Sequence, residues 1–112
     1  LAQTAVIKDA IKVADIDAQS ISYIETHGTG TVIGDPIELS GISDAFSSYG
    51  MLPQTIGIGS VKTNIGHTGS VSGLAGVVKV ILMMKHKQLI PTLHFDEPNY
   101  FCDIEKSQYI LT

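Results

Sequence analysis

Ile56-Gly57-Ile58-Gly59-Ser60-Val61-Lys62-Thr63-Asn64-Ile65-Gly66-His67 is the stretch on which the fold turns. A short strand pattern there leads through a polar loop into the one strongly apolar helix, predicted over residues 71–87. That helix is apolar nearly all round in its middle, so protein must cover both of its sides. Tiny residues at alternate strand positions let another backbone approach one face closely. The loop holds Lys62 and His67 at the seam between two buried elements. Ionisable groups are costly to bury unless they are paired or used, so this loop is the first functional clue.

Upstream, Val6, Ile7, Ala10, Ile11 and Ala14 recur at helical spacing, predicting a one-sided helix over 2–14 with Lys8, Asp9 and Lys12 outward. Residues 21–26 read as a strand ending at His27, with a glycine-rich loop over 28–34. Asp35-Pro36-Ile37-Glu38 has the features of a helix start, with Asp35 as cap, Pro36 at the first helical position and Glu38 as in a capping box. Ile37, Ile42, Ala45, Phe46 and Tyr49 form the inner stripe of that helix, and Gly50 ends it. Downstream, Pro91 stops the apolar helix, 92–95 is extended and Glu97-Pro98-Asn99 is a turn. Residues 109–112 start a strand with no partner left in the chain. Alternating strands and helices imply an α/β fold with a mainly parallel sheet, whose ligands sit at the carboxyl ends of the strands. His27 and the 62–67 loop both lie there.

The chain has 112 residues, 44% of them apolar and 16% charged, which is one small domain and unusually apolar for its size. It is expected to be a piece of something larger. All seven basic residues are lysine and the net charge is −4, so nucleic acid is not an expected partner. A single cysteine, Cys102, and no charged-then-apolar leader point to a reducing, cytoplasmic setting. The longest apolar run, from Leu74 to Met84, is interrupted by Lys79 and falls far short of the roughly twenty residues that cross a bilayer. No membrane span is expected.

His27 and His67, each just after a strand, are the first candidates for chemistry: two imidazoles can hold a thioester oxygen or an enolate and exchange a proton. Two satisfied polar residues at strand ends are the plainer alternative. Lys62 needs a carboxylate, which Asp35 or Glu38 can supply as a structural ion pair. Thr29 and Thr31 can offer hydroxyls to an amide-bearing ligand, although a turn held by local hydroxyl bonds is favoured on spacing alone. The glycines at 28, 30 and 34 miss the dinucleotide-loop spacing, and the histidines with Cys102 show no metal-ligand spacing, so no metal is expected. Cys102 sits beside Asp103, which raises rather than lowers a thiol pKa, so packing is favoured over catalysis there.

Tyr23-Ile24-Glu25-Thr26-His27-Gly28-Thr29-Gly30-Thr31, Gly34-Asp35-Pro36-Ile37-Glu38, the 61–67 segment and Leu89-Ile90-Pro91-Thr92-Leu93-His94-Phe95 resemble β-ketoacyl synthase domains. The likeness is to the ketosynthases of modular polyketide synthases and animal-type fatty acid synthases, and it covers essentially the whole chain. It implies the carboxyl-terminal half, incomplete, of a thiolase-like αβαβα sandwich over residues 1–112. It further implies that His27 and His67 are the two active-site histidines of a decarboxylative Claisen condensation, and that Lys62 organises the site electrostatically. Thr29 and Thr31 would then contact the phosphopantetheine arm of a partner acyl carrier protein, no cofactor being bound by the segment itself. The remaining half of the domain and a second copy in a homodimer are the other implied partners.

Departures from the family pattern shape the expectation. The family's acyl-accepting cysteine lies upstream of anything present here, Cys102 does not match it, and the final glycine-rich segment is also missing. Gly69 stands where many relatives carry an acidic residue. The segment alone is therefore expected to be inactive. Two alternatives remain open: a noncatalytic ketosynthase-like element for dimerisation or carrier docking, and, more remotely, a dinucleotide-binding domain.

Overall fold

Side chains on successive strand residues point to opposite faces of a sheet, and the strands here use that alternation to separate a dry core from a polar layer. The computed structural model describes residues 2–94, Ser107 and 109–112. Its elements are helix α1 (Ala2–Ala14), strand β1 (Tyr23–Glu25), helix α2 (Gly34–Ser47), strand β2 (Ile56–Gly59), the single turn α3 (Lys62–Ile65), helix α4 (Ser72–His86) and strand β3 (Tyr109–Leu111). The sheet order is β1-β2-β3, with both pairings parallel. The parallel α/β arrangement expected from the alternating elements is what forms. Phe95, the turn expected at 97–99 and Cys102 lie outside the described residues.

On one face Ile24, Ile56 and Ile58 pack with Ile11 of α1 and Ile42, Ala45 and Phe46 of α2. On the other face Tyr23, Glu25, Gly57 and Gly59 lie under α4, which reaches them through Gly76 and Lys79. Three layers result: two helices, the sheet, one helix. The glycines of β2 make room, but for side chains rather than the backbone expected from the sequence. A methyl group on Gly59 would stand 2.8 Å from the Tyr23 hydroxyl, and one on Gly57 would stand 2.8 Å from Thr112 Cγ2.

The polar layer contains a buried ion pair. Lys79 Nζ lies 2.9 Å from Glu25 Oε2, and the two side chains are only 9% and 13% exposed. The Tyr23 hydroxyl donates to the same carboxylate at 2.7 Å and accepts from Lys79 Nζ at 2.9 Å. Burial, then the hydrogen bond to Glu25 and its charge, hold the Tyr23 phenol well above its ordinary pKa.

Several local expectations are corrected. Strand 109–112 does have a partner: β3 adds to the open edge of β2, Ile56 opposite Tyr109 and Ile58 opposite Leu111. Helix α2 starts at Gly34, so Asp35 falls inside its first turn, and Thr31 Oγ1 accepts from Gly34 N–H in place of the Asp35 cap. The stripe of α1 is narrower than expected, because Ile11 is buried and Ile7 half-buried while Val6, Ala10 and Ala14 face out. Ile37 of α2 is likewise exposed. Helix α4 is covered on one side only among the described residues. Ser72, Gly76, Lys79 and Met83 are buried, whereas Leu74, Val77, Val78 and Ile81 are exposed.

Two outcomes are expected in a complete protein that carries this segment. Gly59→Ala forces the added methyl against the Tyr23 hydroxyl, and a loss of about 1–3 kcal/mol should appear in denaturant titration. Because the folded state keeps the Tyr23 proton that the unfolded chain releases near pH 10, stability from this group is complete below about pH 10 and falls as pH rises further. Tyr23→Phe should flatten that alkaline loss in melting curves recorded across pH.

Candidate active site

β1 and β2 run parallel and deliver their carboxyl ends side by side, so the residues just beyond them share one edge. Thr26 extends the ladder, its N–H donating to Gly59 O at 2.8 Å, and His27 comes next. The turn after His27 is held from below by α2. Glu38 accepts from His27 N–H at 2.6 Å and Gly28 N–H at 3.0 Å, one carboxylate oxygen each. Asp35 accepts from Gly30 N–H at 3.2 Å. Gly28 has φ +46°, and a methyl there would meet Ser60 Cβ at 2.8 Å, so both backbone sign and space call for glycine.

These bonds overturn the expected Lys62 ion pair. Asp35 and Glu38 are committed to loop amides, which a tight glycine-rich turn leaves without sheet or helix partners. Lys62 turns instead to His27, with Nζ 2.5 Å from the carbonyl oxygen and 3.3 Å from ring Nδ1. The 62–67 loop is itself partly helical: α3 makes one turn and ends at Gly66, φ +75°.

The orientation of His67 is set by the start of α4 and the turn before it. Gly69 N–H donates to His67 Nδ1 at 3.0 Å, and the Ser72 hydroxyl lies 3.3 Å from the same nitrogen. Gly69 has φ +61°, a conformation that suits glycine, so its presence at this position aims an amide at the ring. The two imidazoles meet edge to face, centroids 5.6 Å apart and planes at 90°. An ammonium and an amide can only donate, so in a neutral ring Nδ1 is the accepting nitrogen and Nε2 carries the hydrogen. A pair of imidazole N–H donors that share one oxygen can stabilise negative charge developing on it.

Thr29 and Thr31 are exposed in the same loop, their hydroxyl oxygens 3.3 Å apart. A groove of about 450 Å³ opens beside His27 and Lys62, with Ser72, Gly73 and Val77 on its far wall. A larger groove of about 800 Å³ runs along α4 past Leu74, Val78 and Leu82, and neither site histidine lines it. Among the described residues no group of three His, Cys, Asp or Glu side chains is placed to hold a metal ion.

Sequence reasoning did not find Ser60, Ser72, Glu25 or Lys79. Buried Ser60 accepts from Lys62 N–H at 3.3 Å. Glu25 accepts from Val61 N–H and so ties β1 to the start of the loop that carries Lys62. The available signal was Lys79, a cation in the middle of the apolar run of α4.

The β-ketoacyl synthase carboxyl-terminal domain model matches residues 1–96. The chain belongs to the β-ketoacyl synthase family. It is 45% identical over 109 residues to polyketide synthase PksL of Bacillus subtilis, covering 97% of this chain and 2% of that one. Among solved structures, the ketosynthase from module 6 of the Bacillus subtilis bacillaene synthase superposes with a TM-score of 0.94 at 46% identity, covering 99% of this chain. An oxazolomycin ketosynthase domain from Streptomyces albus gives a TM-score of 0.93 at 38% identity, covering 98% of this chain. The fold is therefore the thiolase-like one of ketosynthases, in part: the chain spans 20% of each of those two ketosynthase chains.

If Glu38 clamps the His27 turn, Glu38→Ala in a ketosynthase carrying this segment leaves two amides without acceptors. Hydrogen exchange at the His27 and Gly28 amides should then accelerate, with a stability loss of about 1–3 kcal/mol.

Proposed function

We propose that residues 1–112 are part of the carboxyl-terminal half of a polyketide synthase ketosynthase and that His27 and His67 serve its decarboxylative Claisen condensation. The observation that carries this is the placement of the two rings, which meet edge to face with centroids 5.6 Å apart, each with a donor against Nδ1, so that in the neutral ring Nε2 carries the hydrogen. Polyketide synthases among the relatives support the pathway class.

In this reaction a malonyl-type thioester loses its carboxylate as carbon dioxide. The electron pair of the broken bond moves onto the thioester oxygen as an enolate, where two N–H donors lower its energy. The enolate carbon attacks the carbonyl of an acyl thioester, a carbon–carbon bond forms and the thiolate departs. The accepting cysteine belongs to the remaining half of the domain. Lys62 keeps His27 in place through its carbonyl and Nδ1.

Thr29 and Thr31, exposed beside the site, would meet the phosphopantetheine arm of an acyl carrier protein with their hydroxyls. The exposed side of α4, Leu74, Val77, Val78 and Ile81, packs against the rest of the ketosynthase, which forms a homodimer. The enzyme is cytoplasmic in this proposal, and no helix among the described residues is long and apolar enough to cross a membrane.

The test uses a complete ketosynthase carrying this segment. His27→Ala or His67→Ala should lower condensation by at least about a hundredfold while acyl transfer to the cysteine continues. Parental condensation rates in either variant would sink the assignment.

A further inference from the structure

Helix α4 gives up two things that a buried helix normally keeps. It places a lysine, Lys79, on its buried side, and it places glycine rather than alanine at Gly76, although glycine costs helix propensity. Both concessions face the same group. Lys79 Nζ lies 2.9 Å from Glu25 Oε2, and a methyl on Gly76 would stand 3.0 Å from Glu25 Cγ. Two apolar residues of similar size would fill the space without the desolvation that a buried ion pair incurs, so packing alone does not account for the charges.

The bonds of the carboxylate show where it acts. Its Oε1 accepts from the Val61 amide, immediately before Lys62. Its Oε2 accepts from Tyr23 O–H and Lys79 Nζ, which also bond to each other. Glu25 is itself two residues before His27. Its third tie, α4, begins with Ser72, which touches His67 Nδ1. All three segments that deliver His27, Lys62 and His67 therefore converge on one carboxylate, which touches none of the rings.

We propose that Glu25, backed by Lys79 and Tyr23, is a positioning residue that sets the relative placement of the two histidines. The proposal rests on the condensation assigned to those histidines. The carboxylate fixes the exit of β2 toward Lys62 relative to β1 and α4, and a small error in that placement separates the two Nε2–H donors from a common oxygen. Reactions that need both donors suffer most, because rate falls steeply with misplacement of catalytic groups.

In a complete ketosynthase carrying this segment, Glu25→Gln and Gly76→Ala are to be compared with the parent for enzyme acylation and for condensation. Glu25→Gln keeps the volume and removes the charge; Gly76→Ala removes nothing and presses on the Glu25 stem. Both should lower the condensation kcat by about tenfold or more, with acylation rate and extender KM within about twofold of the parent. Gly76→Ala should do so without a lower melting temperature, an outcome that a purely structural role would not give. Should Glu25→Gln fail to fold, Gly76→Ala still decides. Parental condensation in Gly76→Ala, or equal losses of acylation and condensation, overturns the proposal. His27→Ala is measured beside them: if it is inactive while Gly76→Ala condenses normally, only this proposal falls. If His27→Ala itself condenses normally, the assignment of the histidines falls, and this proposal with it.

Discussion

The absence of side chains on one face of β2 is the constraint on which the rest depends. Gly57 and Gly59 leave a trough across the middle strand, and Tyr23 and Thr112 lie in it. With its ring there, the Tyr23 hydroxyl reaches Glu25 and Lys79, and α4 settles on the sheet through that contact and through Gly76. A β-branched residue at position 59, ordinarily a good strand former, would push the phenol away and uncouple the helix from the sheet. The opposite face obeys the usual rule, with Ile56 and Ile58 fully buried against α2.

The two faces differ in what holds them. Burial of Ile11, Ile42, Phe46 and their neighbours is non-directional and tolerates modest shifts. The polar face is directional: an ion pair, a phenol and an amide fix distances as well as proximity. Removing one partner of such a buried pair typically costs about 3–5 kcal/mol, because the other charge is stranded. The site is built on the directional face, where placement is set by bonds rather than by contact area.

Much of this is legible in the sequence. Helical spacing places α1 to the residue, alternation of elements implies the parallel sheet, and the strand-end rule alone brings His27 and His67 together. The family resemblance, carried by ordered motifs around these residues, agrees with the match over residues 1–96. Partner choices are where sequence reasoning fails. Charge attraction suggests Lys62 with Asp35 or Glu38, but the amides of His27, Gly28 and Gly30 take those carboxylates. Strand β3 looks partnerless because its mate, β2, is far away in sequence and parallel pairing leaves no local signal. The stripe of α4 is a different case, since its apolar residues mark a surface that the described residues do not cover.

The hydroxyl of Thr31 carries a polarity of its own. Its oxygen already receives the Gly34 N–H at 3.0 Å, with Thr29 Oγ1 3.3 Å away. Only one of the two hydroxyl hydrogens can be used within the pair, so the other is left to donate outward. On the reading proposed above, an amide that approaches this edge of the loop finds a donor for its carbonyl.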